Sequence, residues 1–206
     1  ILPHPFYHFS VYNGEERNWG IQMEDRELIK RIQEGDNQAI ITLHNRYADR
    51  IFHYIYMQTG SYHDAEELLQ DVFFKAAKNL NQFKGKSTFK TWVFKIARHT
   101  IIDYYRGSAK EKDTITVEVE KFDFIGQYVD SAEDKALSRI QVNEVLKYIE
   151  ELPLQYQSVL HLRFFEGFTV KETSDIMGKS VLAVKSMQHR ARAALNIKMK
   201  WEVYDA

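Results

Sequence analysis

The sequence contains no cysteine. That excludes disulfides, thiol catalysis and cysteine-rich zinc sites together, and it agrees with a cytoplasmic protein. Proline is scarce, with three residues, and glycine numbers only nine, which excludes a collagenous or low-complexity chain. No apolar run approaches the roughly 18 residues that a membrane span needs, so no membrane insertion is expected. The N-terminus has neither the basic start nor the long apolar core of a secretory signal. Net charge is nearly absent too, at a formal -1. What remains is a chain of 206 residues with 44% hydrophobic content, ordinary for a soluble globular protein. That length holds one domain of usual size or two small ones.

The small net charge hides strong local fields. From Lys75 to Lys110 there are nine Lys or Arg and one acid, Asp103; from Glu111 to Asp134 there are eight acids and two bases; from Lys179 to Lys200 there are six bases and no acid. Two basic blocks flanking an acidic one suit a nucleic-acid binder better than the sum suggests.

The stretch from Asp64 to Arg106 organises the chain. Ala65, Leu68, Leu69, Val72, Phe73, Ala76 and Leu80 recur at helical spacing, and Asp64 is expected to open that helix. Its outward face carries Asp64, Glu67, Gln70 and Asp71, then Phe74 and Lys78. A second helix has Phe89, Trp92, Val93, Ile96, Ala97, Ile101 and Tyr104 inside and Thr91, Lys95, Arg98 and Tyr105 opposite. Between them lies the basic loop Gln82-Phe83-Lys84-Gly85-Lys86-Ser87-Thr88. An acidic face suits a basic protein partner, and a basic surface with aromatics suits unpaired bases gripped by stacking. Charge runs on helices also arise as plain solvated faces, so the pattern alone leaves both readings open.

Residues 1–22 break every periodicity and are read as an upstream extension or artificial remnant, with a docking arm as the alternative. From Glu24 the chain reads helical: a stripe of Leu28, Ile29 and Ile32, then Asp36 as N-cap of a helix carrying Ala39, Ile40, Leu43, Tyr47, Ile51, Tyr54, Ile55 and Met57 to Gly60. These elements make an all-helical domain over residues 23–107. Residues 108–134 are polar and acidic and read as a linker, with one short alternating piece, Thr114 to Val119. Helices return for a second domain over 135–200, followed by a tail at 201–206. Leu137, Ile140, Val145, Leu146, Ile149 and Leu152 form a stripe that stops at Pro153, and Tyr156, Val159, Leu160, Leu162 and Phe165 form another that ends at Gly167.

The last third has the layout of a helix-turn-helix. Thr169 and Glu172 make a capping box. The helix they start ends at Gly178, and Ser180 caps the next, whose inner face is Val181, Val184, Gln188, Ala191 and Leu195. The outward positions Lys185, Ser186, His189, Arg190 and Arg192 then face a major groove, where Arg and Lys suit guanine edges or phosphates. A three-helix bundle with a solvated basic last helix imitates this pattern.

Two motifs carry a family resemblance. The run Asp64-Ala65-Glu66-Glu67-Leu68-Leu69-Gln70-Asp71-Val72-Phe73, then Phe83 and Gly85, then Ser87 through Arg98, resembles the second conserved region of bacterial sigma factors, closest to the extracytoplasmic-function group of the sigma-70 family. Glu172 to Leu195 resembles the fourth region, with Lys185-Ser186 and Arg190-Ala191-Arg192 as the shared pattern. One departure is notable: Leu182-Ala183 stands where many members have Gly-Thr, which bears on how the helix enters the groove and which sequence it prefers. The resemblance implies an all-α fold of two small helical domains joined by a flexible linker. It implies core RNA polymerase binding through Asp64, Glu67, Gln70 and Asp71. It implies contacts to the promoter -10 element through Phe83, Lys84, Lys86, Ser87, Thr88, Lys95 and Arg98. It places the -35 element on Lys185, Ser186, His189, Arg190 and Arg192. An anti-sigma factor is implied as a further partner, and a linker path through the polymerase toward the RNA exit. No cofactor, metal or homo-oligomer is indicated, and Trp92, on the apolar stripe, reads as core rather than wedge.

Two other classes compete. A ligand-sensing or dimerising helix-turn-helix regulator has no need of an acidic polymerase-binding face. A helical carboxylate enzyme needs metal partners on a second helix; no Glu-x-x-His pair supplies them and no glycine-rich phosphate loop exists.

Overall fold

The structure, a computed structural model, describes residues 24–111, 145 and 147–201. The expected N-terminal extension, most of the acidic linker with its alternating piece, the first residues of the second domain including Leu137 and Ile140, and all but the first residue of the tail lie outside the described residues. Every regular element among those described is helical.

The first unit is α1 (Asp25–Gln33), α2 (Asn37–Thr59), α3 (Tyr62–Asn79) with a 3₁₀ turn (Leu80–Gln82), and α4 (Phe89–Glu111). Local chemistry sets the boundaries. The Asp36 carboxylate accepts from the backbone N–H of Gln38 and Ala39 and so starts α2. Gly60 ends it in the left-handed region, at φ 67°. Ser61 caps α3 by accepting from Asp64 N–H, so the helix opens at Tyr62 rather than at Asp64. Thr88 accepts from Thr91 N–H and starts α4. That helix runs past Gly107, where the linker was expected to begin, and continues to Glu111. One glycine costs a helix only about 1 kcal/mol, too little to stop one of 23 residues.

The second unit is α5 (Leu154–Leu160), continuing as a π turn (His161–Phe165), then α6 (Val170–Met177) and α7 (Val181–Trp201). The capping box forms as expected: Thr169 accepts from Glu172 N–H, and the Glu172 carboxylate accepts from Thr169 N–H. Gly178 closes α6 at φ 62°, and Ser180 accepts from Ala183 N–H to begin α7.

The stripes of α2 and α3 pack as their spacing predicts, with Leu43, Tyr47, Ile51, Tyr54 and Ile55 buried against Ala65, Leu69, Val72 and Ala76. Five residues differ from the expected stripes. Ile40 is exposed at the start of α2, before the α3 contact begins. Val181 is exposed and Met187 takes a buried place on α7 beside Val184 and Ala191, so the buried line keeps its expected side and turns only slightly round the helix. Thr91, expected outward, is buried, and so is Phe94, which was in neither stripe. Both face the second unit.

The two units share a seam. Phe94 of α4 meets Phe168 edge-on with ring centres 5.1 Å apart, and Tyr54 of α2 lies 5.3 Å from the His161 ring. Ser158 Oγ donates to Gln58 Oε1 at 2.7 Å. Glu166, with no exposed side-chain surface, pairs with Arg50 at 2.6 Å, Lys90 at 3.3 Å and His161 at 3.7 Å. Burial pushes the Glu166 carboxyl up, but His161, Arg50 and Lys90 outweigh that and hold it below the usual glutamate range.

Candidate nucleic-acid interface

The acidic face of α3 divides into two parts. Glu67, Gln70 and Asp71 are exposed along one side of the helix. Asp64 is half-buried and accepts a hydrogen bond from Tyr104 Oη at 2.7 Å. It fastens α4 to α3 as well as contributing charge. Phe74 follows at the next turn of the same line, 70% exposed. An acidic ridge ending in a bare aromatic can dock on a basic helix carrying an apolar side chain. His63, Asp64 and Glu67 lie close enough to gather round an ion, but His63 and Glu67 are exposed and Asp64 already serves Tyr104.

The basic loop stands over a cleft. Lys84, Lys86, Ser87 and Thr88 are exposed. Phe83 is half-buried against Trp92 and Phe89, with ring centres 5.3 Å and 6.0 Å away. Trp92 is thus part of an aromatic wall, in agreement with its place on the apolar stripe. Gly85 takes φ 64°, which lets the loop turn tightly beside the two lysines. The far wall of the cleft comes from α1 and α2, where Asp25 accepts from both Arg46 and Tyr47. Burial, then the bond to Asp25, pushes the Tyr47 phenol far above its ordinary range. Sequence reading placed Tyr47 only on the inner stripe of α2 and did not single out Asp25 or Arg46, since they lie on other helices and carry no motif of their own.

On α4, Lys95 is exposed, whereas Arg98 is half-buried. Arg98 Nη1 donates to Ser158 Oγ at 3.3 Å, so its guanidinium points into the seam. Lys84, Lys86, Ser87, Thr88 and Lys95 are thus each open to solvent, whereas Arg98 is turned into the seam.

On α7, Lys185, Ser186, His189, Arg190 and Arg192 are all exposed. Arg190 reaches back to Ser186, donating to its Oγ at 3.1 Å, and Arg192 lies over the Phe164 ring at 5.9 Å. Arg163 Nε donates to Gln188 Oε1 at 3.0 Å and ties α7 to the π turn. With no acid in its first turn, this helix presents a positive, hydrogen-bonding face suited to a duplex groove.

Comparison with known proteins matches two family models in order. Sigma-70 region 2 covers residues 43–111 and Sigma-70, region 4 covers residues 143–195. The RNA polymerase sigma factor YlaC of Bacillus subtilis is 35% identical over 162 residues, covering 78% of this chain and 92% of that one. The ECF RNA polymerase sigma-E factor of Escherichia coli K12 is 30% identical over 186 residues, 87% of this chain and 96% of that one. The ECF RNA polymerase sigma factor BldN of Streptomyces coelicolor is 31% identical over 80% of this chain, which spans 62% of BldN's length. Among solved structures, CnrH in complex with the cytosolic domain of CnrY covers 85% of this chain and 97% of its own, at 22% identity and a TM-score of 0.62. The sigma factor RpoE in complex with the anti-sigma factor NepR, from Bartonella quintana, covers 76% of this chain and 94% of its own, at 21% identity and a TM-score of 0.61. At these identities the structural likeness is one of fold.

Proposed function

The chain belongs to the extracytoplasmic-function group of the sigma-70 family of RNA polymerase sigma factors, and from that premise we propose how its surfaces divide the work of promoter recognition. The α3 ridge of Glu67, Gln70 and Asp71, with Asp64 at its base, binds core polymerase. Phe83, Lys84, Lys86, Ser87, Thr88 and Lys95 engage the opened -10 element, whose unpaired bases can be held by stacking and backbone contacts. Lys185, Ser186, His189, Arg190 and Arg192 engage the -35 element. Residues 23–107 and 135–200 act as the two functional domains, with 108–134 between them.

One observation carries this reading: two separate basic surfaces, one a loop beside an aromatic wall and one a helix face, sit on one chain with an acidic ridge apart from both. A duplex-binding regulator uses the helix face alone. Arg98 belongs to the -10 set only when the seam opens, since Ser158 holds it there. The protein acts by binding rather than by catalysis, and it works beside the polymerase in the cytoplasm. An anti-sigma partner is proposed too, supported by the fold shared with RpoE, which is bound to the anti-sigma factor NepR.

The test is run-off transcription with bacterial core polymerase on a pool of promoter fragments. Transcripts that require this protein and vanish with Asp71→Lys or Arg190→Ala support these roles. Failure to bind core, with duplex binding that depends on Arg190, overturns the polymerase assignment.

A further inference from the structure

Leu182 is the most exposed large hydrophobic residue among those described, at 78%. It is the second residue of α7, directly after the Ser180 cap and Val181. At 100° per residue, Leu182, Lys185, Ser186 and His189 fall within one narrow stripe, since they are spaced i, i+3, i+4 and i+7. All four are exposed, while the opposite side of the helix buries Val184, Met187 and Ala191. Leu182 is therefore the N-terminal member of the polar, basic face, with a charged or hydrogen-bonding neighbour one turn further on.

An exposed leucine there does not support packing of its own unit. The first turn of a recognition helix is also where side chains reach base edges rather than phosphates. The apolar feature a major groove offers is the C5 methyl of thymine. Resting on the assignment of this face to promoter DNA, we propose that Leu182 is a specificity-determining residue that reads a thymine methyl in the -35 element. Lys185 and Arg190 supply charge, and Leu182 supplies discrimination at one base pair. Where a relative has glycine at this position, no side chain is present to make that contact.

The experiment uses the complete protein bound to bacterial core polymerase. A duplex selected from a pool randomised at the -35 element is compared with versions in which each thymine is replaced singly by deoxyuridine, which lacks only the methyl group. At about 0.8 kcal/mol for one buried methyl, the substitution at the contacted position is expected to weaken binding on the order of four-fold. Leu182→Ala is expected to bind the thymine duplex as weakly as the wild type binds its deoxyuridine version, and to be indifferent to that replacement. If no deoxyuridine position weakens the wild type, or if Leu182→Ala keeps the full methyl preference, the proposal is overturned. Loss of core polymerase binding in Leu182→Ala also overturns it and makes the residue a protein contact. Arg190→Ala separates this from the broader reading: if Arg190→Ala leaves binding to the selected duplex unchanged, the assignment of the whole face fails, not the role of Leu182 alone.

Discussion

His53 and Glu166 show how burial and charge act at single residues. His53 is 5% exposed on α2, and burial, with the neighbouring His161 adding to it, lowers its pKa to about 4. A histidine depressed in the folded state favours the neutral form. Its contribution is complete above the ordinary value of about 6.5 and is lost as pH falls from there toward 4. The loss amounts to at most about 3 kcal/mol. Thermal unfolding followed across pH 4 to 7 is expected to show this slope, and His53→Gln to flatten it. Glu166 adds to it at lower pH: held below the usual range, its carboxylate stabilises the fold above that range and loses its effect as pH falls through it. Glu166→Ala leaves Lys90 and Arg50 without their shared partner. Removing one member of a buried charge group costs about 3–5 kcal/mol, measurable by denaturant unfolding.

Among the elements, α6 and α7 depend most on local chemistry. Thr169→Ala removes the cap of an eight-residue helix and is expected to cost about 1 kcal/mol, read from the shift in denaturant midpoint. The outward face of α7 acts through charge. Lys185→Ala is expected to weaken duplex binding by the polymerase-bound protein and to reduce the slope of log K against log salt by about one. Arg190→Ala, if it loses a base contact, costs about 1–3 kcal/mol at one position of the site. These two effects separate phosphate contacts from base contacts on one helix, which the shared positive charge of the two side chains cannot do.

For the whole molecule the controlling feature is the seam between the two helical units. It combines ring packing at Phe94–Phe168 with the Glu166 charge group and the Gln58–Ser158 bond. It also turns Arg98 away from solvent. Spin labels at Glu67 and Lys185, both exposed, report the separation of the units. A narrow distance distribution is expected in the free protein, and a broadened one in Glu166→Ala. An unchanged distribution in that variant shows that the ring contacts and the Ser158 hydrogen bonds hold the seam without the Glu166 charge group.

Sequence alone determined that the chain is helical, several of the caps and most of the residue types on the outer faces, because these depend on interactions within a few positions. The Ser61 cap of α3, the end of α4 and the burial of Thr91 were not read from it. Asp36, Ser180, and Thr169 with Glu172 act on backbone groups two or three residues away, and Gly60 and Gly178 end helices through their own backbone freedom. The basic loop and the face of α7 were legible for the same reason. Only the tertiary structure decided what lies across from what. Thr91, Phe94 and Glu166 are buried because the two bundles cover them where they meet, and Asp25, Arg46 and Tyr47 meet because α1 folds against α2. Periodicity reports that a helix has a face to bury, but only contact between distant segments determines which polar groups that burial brings together.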